Sequence, residues 1–150
     1  MRRTCSPLNI GIADIIKIGG VLLDDSGRLL VTRKKGKDFW VFLGGKIEPQ
    51  DGNSHEKCLE REIFEEISIK IVGEPKFYFK SPVELAAGKP DLTVQIFAYI
   101  VKIKGIPVAS NEVDEIHWLS VNEFKEEKFR LGSVLHDHVI PMHIRDGLMR

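Results

Sequence analysis

Glu62, Glu65 and Glu66 stand three and four residues apart in the run REIFEE, a spacing that on a helix lets their side chains converge on one edge. At about 100° per residue they fan over an arc of roughly 100° beside the apolar stripe of Leu59, Ile63 and Ile67. Like charges so placed destabilise an empty helix. Three oxygen donors without histidine or cysteine suit a hard cation such as Mg²⁺ or Mn²⁺, which keeps its other positions for water or substrate phosphate. Such a cation is used to work on phosphates. Taken alone, the run is also what a solvated charged face looks like, neutralised by Arg61, Lys57 and Lys70.

The neighbours of the helix weigh against the plain reading. The apolar segment FWVFL reads as a short strand that stops at Gly44 and Gly45, where a backbone can turn sharply or approach a ligand closely. Lys46, fixed beside these glycines, is a candidate phosphate contact; Arg33, Lys34, Lys35 and Lys37 just before the segment are others, or simply a solvated loop.

In this order the residues resemble the signature of the Nudix hydrolase family: a glycine, five residues, a glutamate, seven residues, then R-E-U-x-E-E-x-G-U, with U a bulky aliphatic residue. The chain supplies Gly45, Arg61, Glu62, Ile63, Glu65, Glu66 and Ile69. With NEVDEIHWLSVNEF near the end, the similarity covers most of residues 14–145. Two departures stand out. Counting forward from Gly45, the first signature glutamate falls at Asp51; counting back from Arg61, it falls at Asn53. Ser68 replaces the closing glycine, at a position where a helix often ends left-handed.

The resemblance implies a Mg²⁺-dependent (or Mn²⁺-dependent) pyrophosphohydrolase acting on a nucleoside diphosphate linked to another moiety. Glu62, Glu65 and Glu66 would hold the metal, with a carbonyl of Gly44 or Gly45 as a further ligand, and Arg61 would orient them. A water deprotonated by a nearby carboxylate attacks one phosphorus in line. Glu112, six residues before Trp118, would be that base or an extra ligand in a mobile loop; its plain reading is an exposed loop residue. The alternative is a nucleotide-binding module that has lost efficient hydrolysis, because Asn53 or Asp51 replaces the glutamate in a lengthened loop. A metal-free acidic surface for a basic partner is a third reading, which would not need Gly44, Gly45 and Arg61.

The elements that must position these residues read as follows. Ile10 to Leu23 is nearly continuous apolar, DDSGR supplies a turn, and LLVTR follows, which predicts a β-hairpin. IKIVG and KFYFK read as strand, SPVELAAGKPD as loop, LTVQIFAYIVKIK as a long strand and EIHWL as another. SVNEFKEE reads as a capped helical turn and GSVLHDHVIPMHIRDGLM as a helix broken near Pro141. The expected class is α/β (α+β), a mixed sheet packed between helices. Phe77, Phe79, Phe97 and Tyr99 read as core rather than a base stack, and His136, His138 and His143 lack a fourth ligand for zinc.

At 150 residues, 1–150 is expected to be one domain. Lysine and arginine total 22 and acidic residues 22, so no global charge draws the chain to a nucleic-acid polymer or a membrane. Cys5 and Cys58 form no disulfide framework, and the MRRTC start lacks a signal-peptide pattern, which fits a mature cytoplasmic protein. The sequence leaves a homodimer open.

Overall fold

A computed structural model describes residues 13–86 and 89–149 of the chain. The MRRTC start, Cys5 and the expected strand residues before 13 lie outside the described residues. Among those described, no helix is long and apolar enough to cross a membrane.

Two sheets lie between two helical layers. Strand β1 (Ile15–Val21) pairs antiparallel with β4 (Leu43–Lys46) and parallel with β7 (Lys89–Ile100). The other edge of β7 carries β5 (Lys76–Lys80) and β6 (Glu84–Ala86), both antiparallel. A second, antiparallel sheet has the order β3 (Trp40–Val41), β2 (Leu29–Lys34), β8 (Val113–Leu119). The fold is therefore the expected mixed α+β arrangement, distributed over two sheets.

Four expectations for individual segments need correction. The segments before and after DDSGR do not make a hairpin of one sheet: β1 and β2 belong to different sheets, joined by a single antiparallel bridge between Leu23 and Leu29. Both strands are apolar on two faces, so neither needs the other as its neighbour. The FWVFL segment does not stop at the glycines. It gives β3 to one sheet, changes sheets at Phe42, and carries Gly44 and Gly45 within β4. SPVELAAGKPD is strand on both flanks, β6 and the start of β7, rather than loop. IKIVG contributes only a bridge between Ile71 and Ile103.

The signature helix α1 (His55–Ile67) starts at Ser54, whose side chain accepts from the Lys57 amide, satisfying one of the unpaired N–H groups of the first turn. It buries Cys58, Leu59, Ile63 and Ile67 against Ile18, Leu22, Leu30 and Leu43. On the opposite side, Val134, Leu135, Val139 and Ile140 of the terminal helical segment close a second core over Val21, Val31 and Phe42. That segment is a π-helical turn, Leu135–Val139, followed by α2's successor α3 (Ile140–Arg145); α2 (Val121–Lys125) is the short helix capped by Ser120. The wide turn precedes Pro141, which has no N–H to donate to a regular helix, so the break falls where the sequence predicts it.

Candidate active site

The strand β4 and the helix α1 approach so closely that one residue type fits between them. A Cβ added to Gly45 would lie 2.4 Å from a carboxylate oxygen of Glu62. Gly44 has a different constraint: its φ is 126°, and a Cβ there would strike the Ile18 carbonyl oxygen at 2.0 Å. The Gly44 amide donates to Glu66 Oε1 at 2.9 Å. The glycine pair thus seats two of the three carboxylates that the spacing singles out.

Arg61 gathers the rest. Its Nε and Nη2 donate to the two oxygens of Asp51 at 3.0 and 2.8 Å, and Nη1 donates to Glu62 Oε2 at 2.8 Å and Glu65 Oε1 at 3.4 Å. Asp51 is only 2% exposed. Its other contact is local: Oδ2 also accepts from the Glu48 amide at 2.8 Å, closing the short 3₁₀ turn Pro49–Asp51. The forward count therefore places the acid, and Asn53 stands exposed in the turn beyond it. Gly52 and Asn53 take successive left-handed conformations, φ 59° and 65°. That turn absorbs the extra length between Asp51 and Arg61 without moving either partner.

Electrostatics differ across the cluster. The Arg61 guanidinium holds the Asp51 carboxyl down at about 2 and is itself held protonated. Burial pushes the Glu66 carboxyl up to about 7, against the Gly44 amide and the Lys34 ammonium, whose Nζ lies 3.7 Å from Oε2. Burial also raises Glu62, which Arg61 opposes. Cys58, likewise buried, is pushed up to about 12 and stays a thiol, its Sγ on the Gly45 carbonyl oxygen at 3.8 Å.

Arg61, Glu62, Glu65, Glu66 and Glu112 line one cavity of about 480 Å³, together with Glu48, Gln50 and Asn111. Glu112 is thus brought to the signature carboxylates. Lys46 is not among these residues; it lines the cleft between the sheets, about 360 Å³, together with Lys34, Phe42, Gly44 and Gly45. Lys34 joins the two spaces through Glu66. Among the described residues no three histidine, cysteine, aspartate or glutamate side chains already stand gathered as a metal cage. The donor set is nonetheless that of a hard cation: all oxygen, mostly carboxylate, and with one member buried without a full countercharge.

Other candidates fall elsewhere. Arg33 is engaged by Asp114 at 2.6 Å, by Glu115 and by the Lys37 carbonyl, which removes it from the phosphate candidates. His136 pairs with Asp137, His138 with Glu84, and His143 is buried against Tyr78, so the three histidines do not converge. Phe79 packs on the terminal-helix side and Phe97 and Tyr99 on the α1 side with His55, whereas Phe77, read as core, is 57% exposed and meets the ring of Tyr99.

Two contacts had no signal in the sequence. One is Lys34 with Glu66. The other is Asn111, whose side-chain amide donates to the Glu65 carbonyl.

Comparison with known proteins agrees with this architecture. Residues 15–138 match the family described as NUDIX domain. A MutT-like protein of Streptomyces ambofaciens is 26% identical over 114 residues, spanning 74% of this chain and 67% of that protein. The solution structure of the E. coli ORF135 protein superposes with a TM-score of 0.67 at 23% identity, covering 89% of this chain and 91% of that one. The crystal structure of the MutT protein from Methanosarcina mazei Go1 gives 0.71 at 20% identity, covering 89% and 94%.

Proposed function

Because the chain belongs to the NUDIX family and is a hydrolase of that family, we propose that it is a pyrophosphohydrolase that cleaves a nucleoside diphosphate linked to a further group, using Mg²⁺ or, in its place, Mn²⁺. Glu62, Glu65 and Glu66 are the proposed cation ligands, and Glu112 the carboxylate that takes the proton of the attacking water. The observation that carries this reading is the shared cavity: Glu62, Glu65, Glu66 and Glu112 line it together with one basic side chain, Arg61, which is already committed to Asp51.

A divalent cation held there supplies positive charge to the bridging pyrophosphate and makes a water easier to deprotonate. The chain's own residues do the rest. Gly44 and Gly45 leave room for Glu66 and Glu62 to lie against β4. Arg61 fixes the spread of Glu62 and Glu65. Lys34 and Lys46 border the cleft between the sheets, where they can meet phosphate oxygens as point charges. Glu112 accepts the water's proton as the new P–O bond forms and the bond to the leaving phosphate breaks; no covalent enzyme intermediate is needed.

The ground for a merely binding module was the replacement of the first signature glutamate in a lengthened loop; Asp51, from that loop, meets Arg61 with both carboxylate oxygens. Two cysteines far apart in sequence, with no disulfide framework to be read from them, are in keeping with a cytoplasmic setting. The test is a panel of nucleoside triphosphates, oxidised nucleotides, ADP-ribose, nucleotide sugars and dinucleoside polyphosphates, with products resolved by mass. Cleavage of one class, only with divalent cation present, is the expected result; tight binding with no turnover of any member would return the binding module.

A further inference from the structure

Beyond β7 the chain crosses the open end of α1 before entering β8, and the crossing is stitched to the helix. The Val108 amide donates to the Ile67 carbonyl at 3.0 Å and the Ser110 amide to the Glu66 carbonyl at 2.9 Å. The Asn111 side-chain amide donates to the Glu65 carbonyl at 2.6 Å. These are carbonyls that a helix leaves without intrahelical partners. Ser68, left-handed at φ 56°, turns its hydroxyl onto that of Ser110. The residue that replaces the family's closing glycine thus adds a link that glycine lacks.

The crossing has little else to hold it. Val101 and Ile103 pack on the α1 core where the crossing begins, but beyond them Ile106 is 86% exposed and Val108 59%, so apolar side chains do not anchor the part that leads to Glu112. Asn111 is left-handed as well, φ 53°, and the reversal it makes delivers Glu112 to the cavity. On the far side the Glu112 carbonyl accepts from the Lys35 amide at 2.9 Å. Glu112 is therefore held from two elements at once, the end of β2 and the end of the helix that carries Glu62, Glu65 and Glu66.

We propose that Asn111 is a positioning residue for hydrolysis: its amide, clamped on the Glu65 carbonyl, registers Glu112 against the carboxylates of α1. The inference rests on the reading of Glu112 given above. The same contact ties the crossing to the helix turn that bears Glu65, so the two sides of the cavity move as one.

The test uses two variants that retain the left-handed backbone and lose the amide donor, Asn111→Gly and Asn111→Asp. In the metal-free protein, hydrogen exchange at the Val108 and Ser110 amides speeds up by about 10-fold, the worth of one hydrogen bond. In the active enzyme kcat falls by about 10-fold, as when the support of a site residue is lost, while KM stays within about twofold. On a Glu112→Gln background Asn111→Gly costs nothing more, since it acts through that carboxylate. Losses that multiply in the double variant, or exchange and kcat both at the wild-type level, overturn the proposal. An inactive wild type is a different result: it brings down the reading on which the inference rests, and exchange still decides whether the clamp exists.

Discussion

Arg61 spans the site, with Asp51 on two of its nitrogens at 3.0 and 2.8 Å and Glu62 on the third at 2.8 Å. Asp51→Asn breaks one face of this bridge and is expected to lower turnover or metal affinity about 10- to 100-fold. Asn53→Glu, two residues on and exposed, is expected to change both by less than about twofold. Steady-state kinetics and calorimetric titration of metal check the pair, and the opposite ranking would mean that Arg61 takes its support elsewhere.

The two glycines of β4 predict different phenotypes. Gly45→Ala meets the end of a side chain, which moves: the fold is expected to persist with Glu62 displaced and metal affinity down about 10-fold or more. Gly44→Ala meets backbone at a left-handed φ and is expected to cost about 1 to 3 kcal/mol of stability. Thermal melts alongside metal titrations separate the two, and equal destabilisation would contradict the assigned geometry.

Glu66 makes metal binding depend on pH. With its carboxyl raised to about 7 by burial, the metal-free fold holds a proton that the unfolded chain releases above about 4.5, so stability falls as pH rises from about 4.5 to 7. A cation must displace that proton. Its affinity is expected to climb as pH rises through about 7 and level off above, and its addition to raise the melting temperature most at the alkaline end. Glu66→Gln should flatten both trends, remove most of the metal-induced shift, and lower turnover by about 10² or more.

His143 tilts stability the other way. It has no exposed surface, and burial lowers it to about 4 against the opposing pull of the Asp146 carboxylate and the Val139 backbone. Between about 4 and 6.5 the unfolded chain binds a proton that the fold refuses, so this contribution is complete above about 6.5 and lost as pH falls towards 4. The full shift corresponds to about 3 kcal/mol. His143→Leu should remove this slope in denaturant melts taken across the range, leaving the opposite tilt of Glu66 and Glu62 visible; an unchanged slope would place the titration elsewhere.

Much of the site was legible because it is local. The stripe of Leu59, Ile63 and Ile67 and the spacing of three glutamates lie within one helix, where period alone fixes the face. Sheet membership was not. An apolar run such as Ile15–Val21 states that it is buried on both faces and nothing about its neighbours, and the change of sheet at Phe42 occupies one residue. The acid of the signature was undecided because counting is one-dimensional: only the turn at Gly52 and Asn53 shows on which side the extra residues lie. Asn111 lies 46 residues from its partner Glu65, and no periodic pattern reaches that far.

The turn at Gly52 and Asn53 also bears on how such enzymes are found. Nine residues separate Asp51 from Arg61 where the family pattern has seven, and the acid has lost a methylene as well. A fixed-spacing query would discard this chain at the one position where its geometry is intact. A query that tolerates a short left-handed insertion between acid and arginine, and reads aspartate as glutamate there, would retain it along with any cousins that lengthened the same bend.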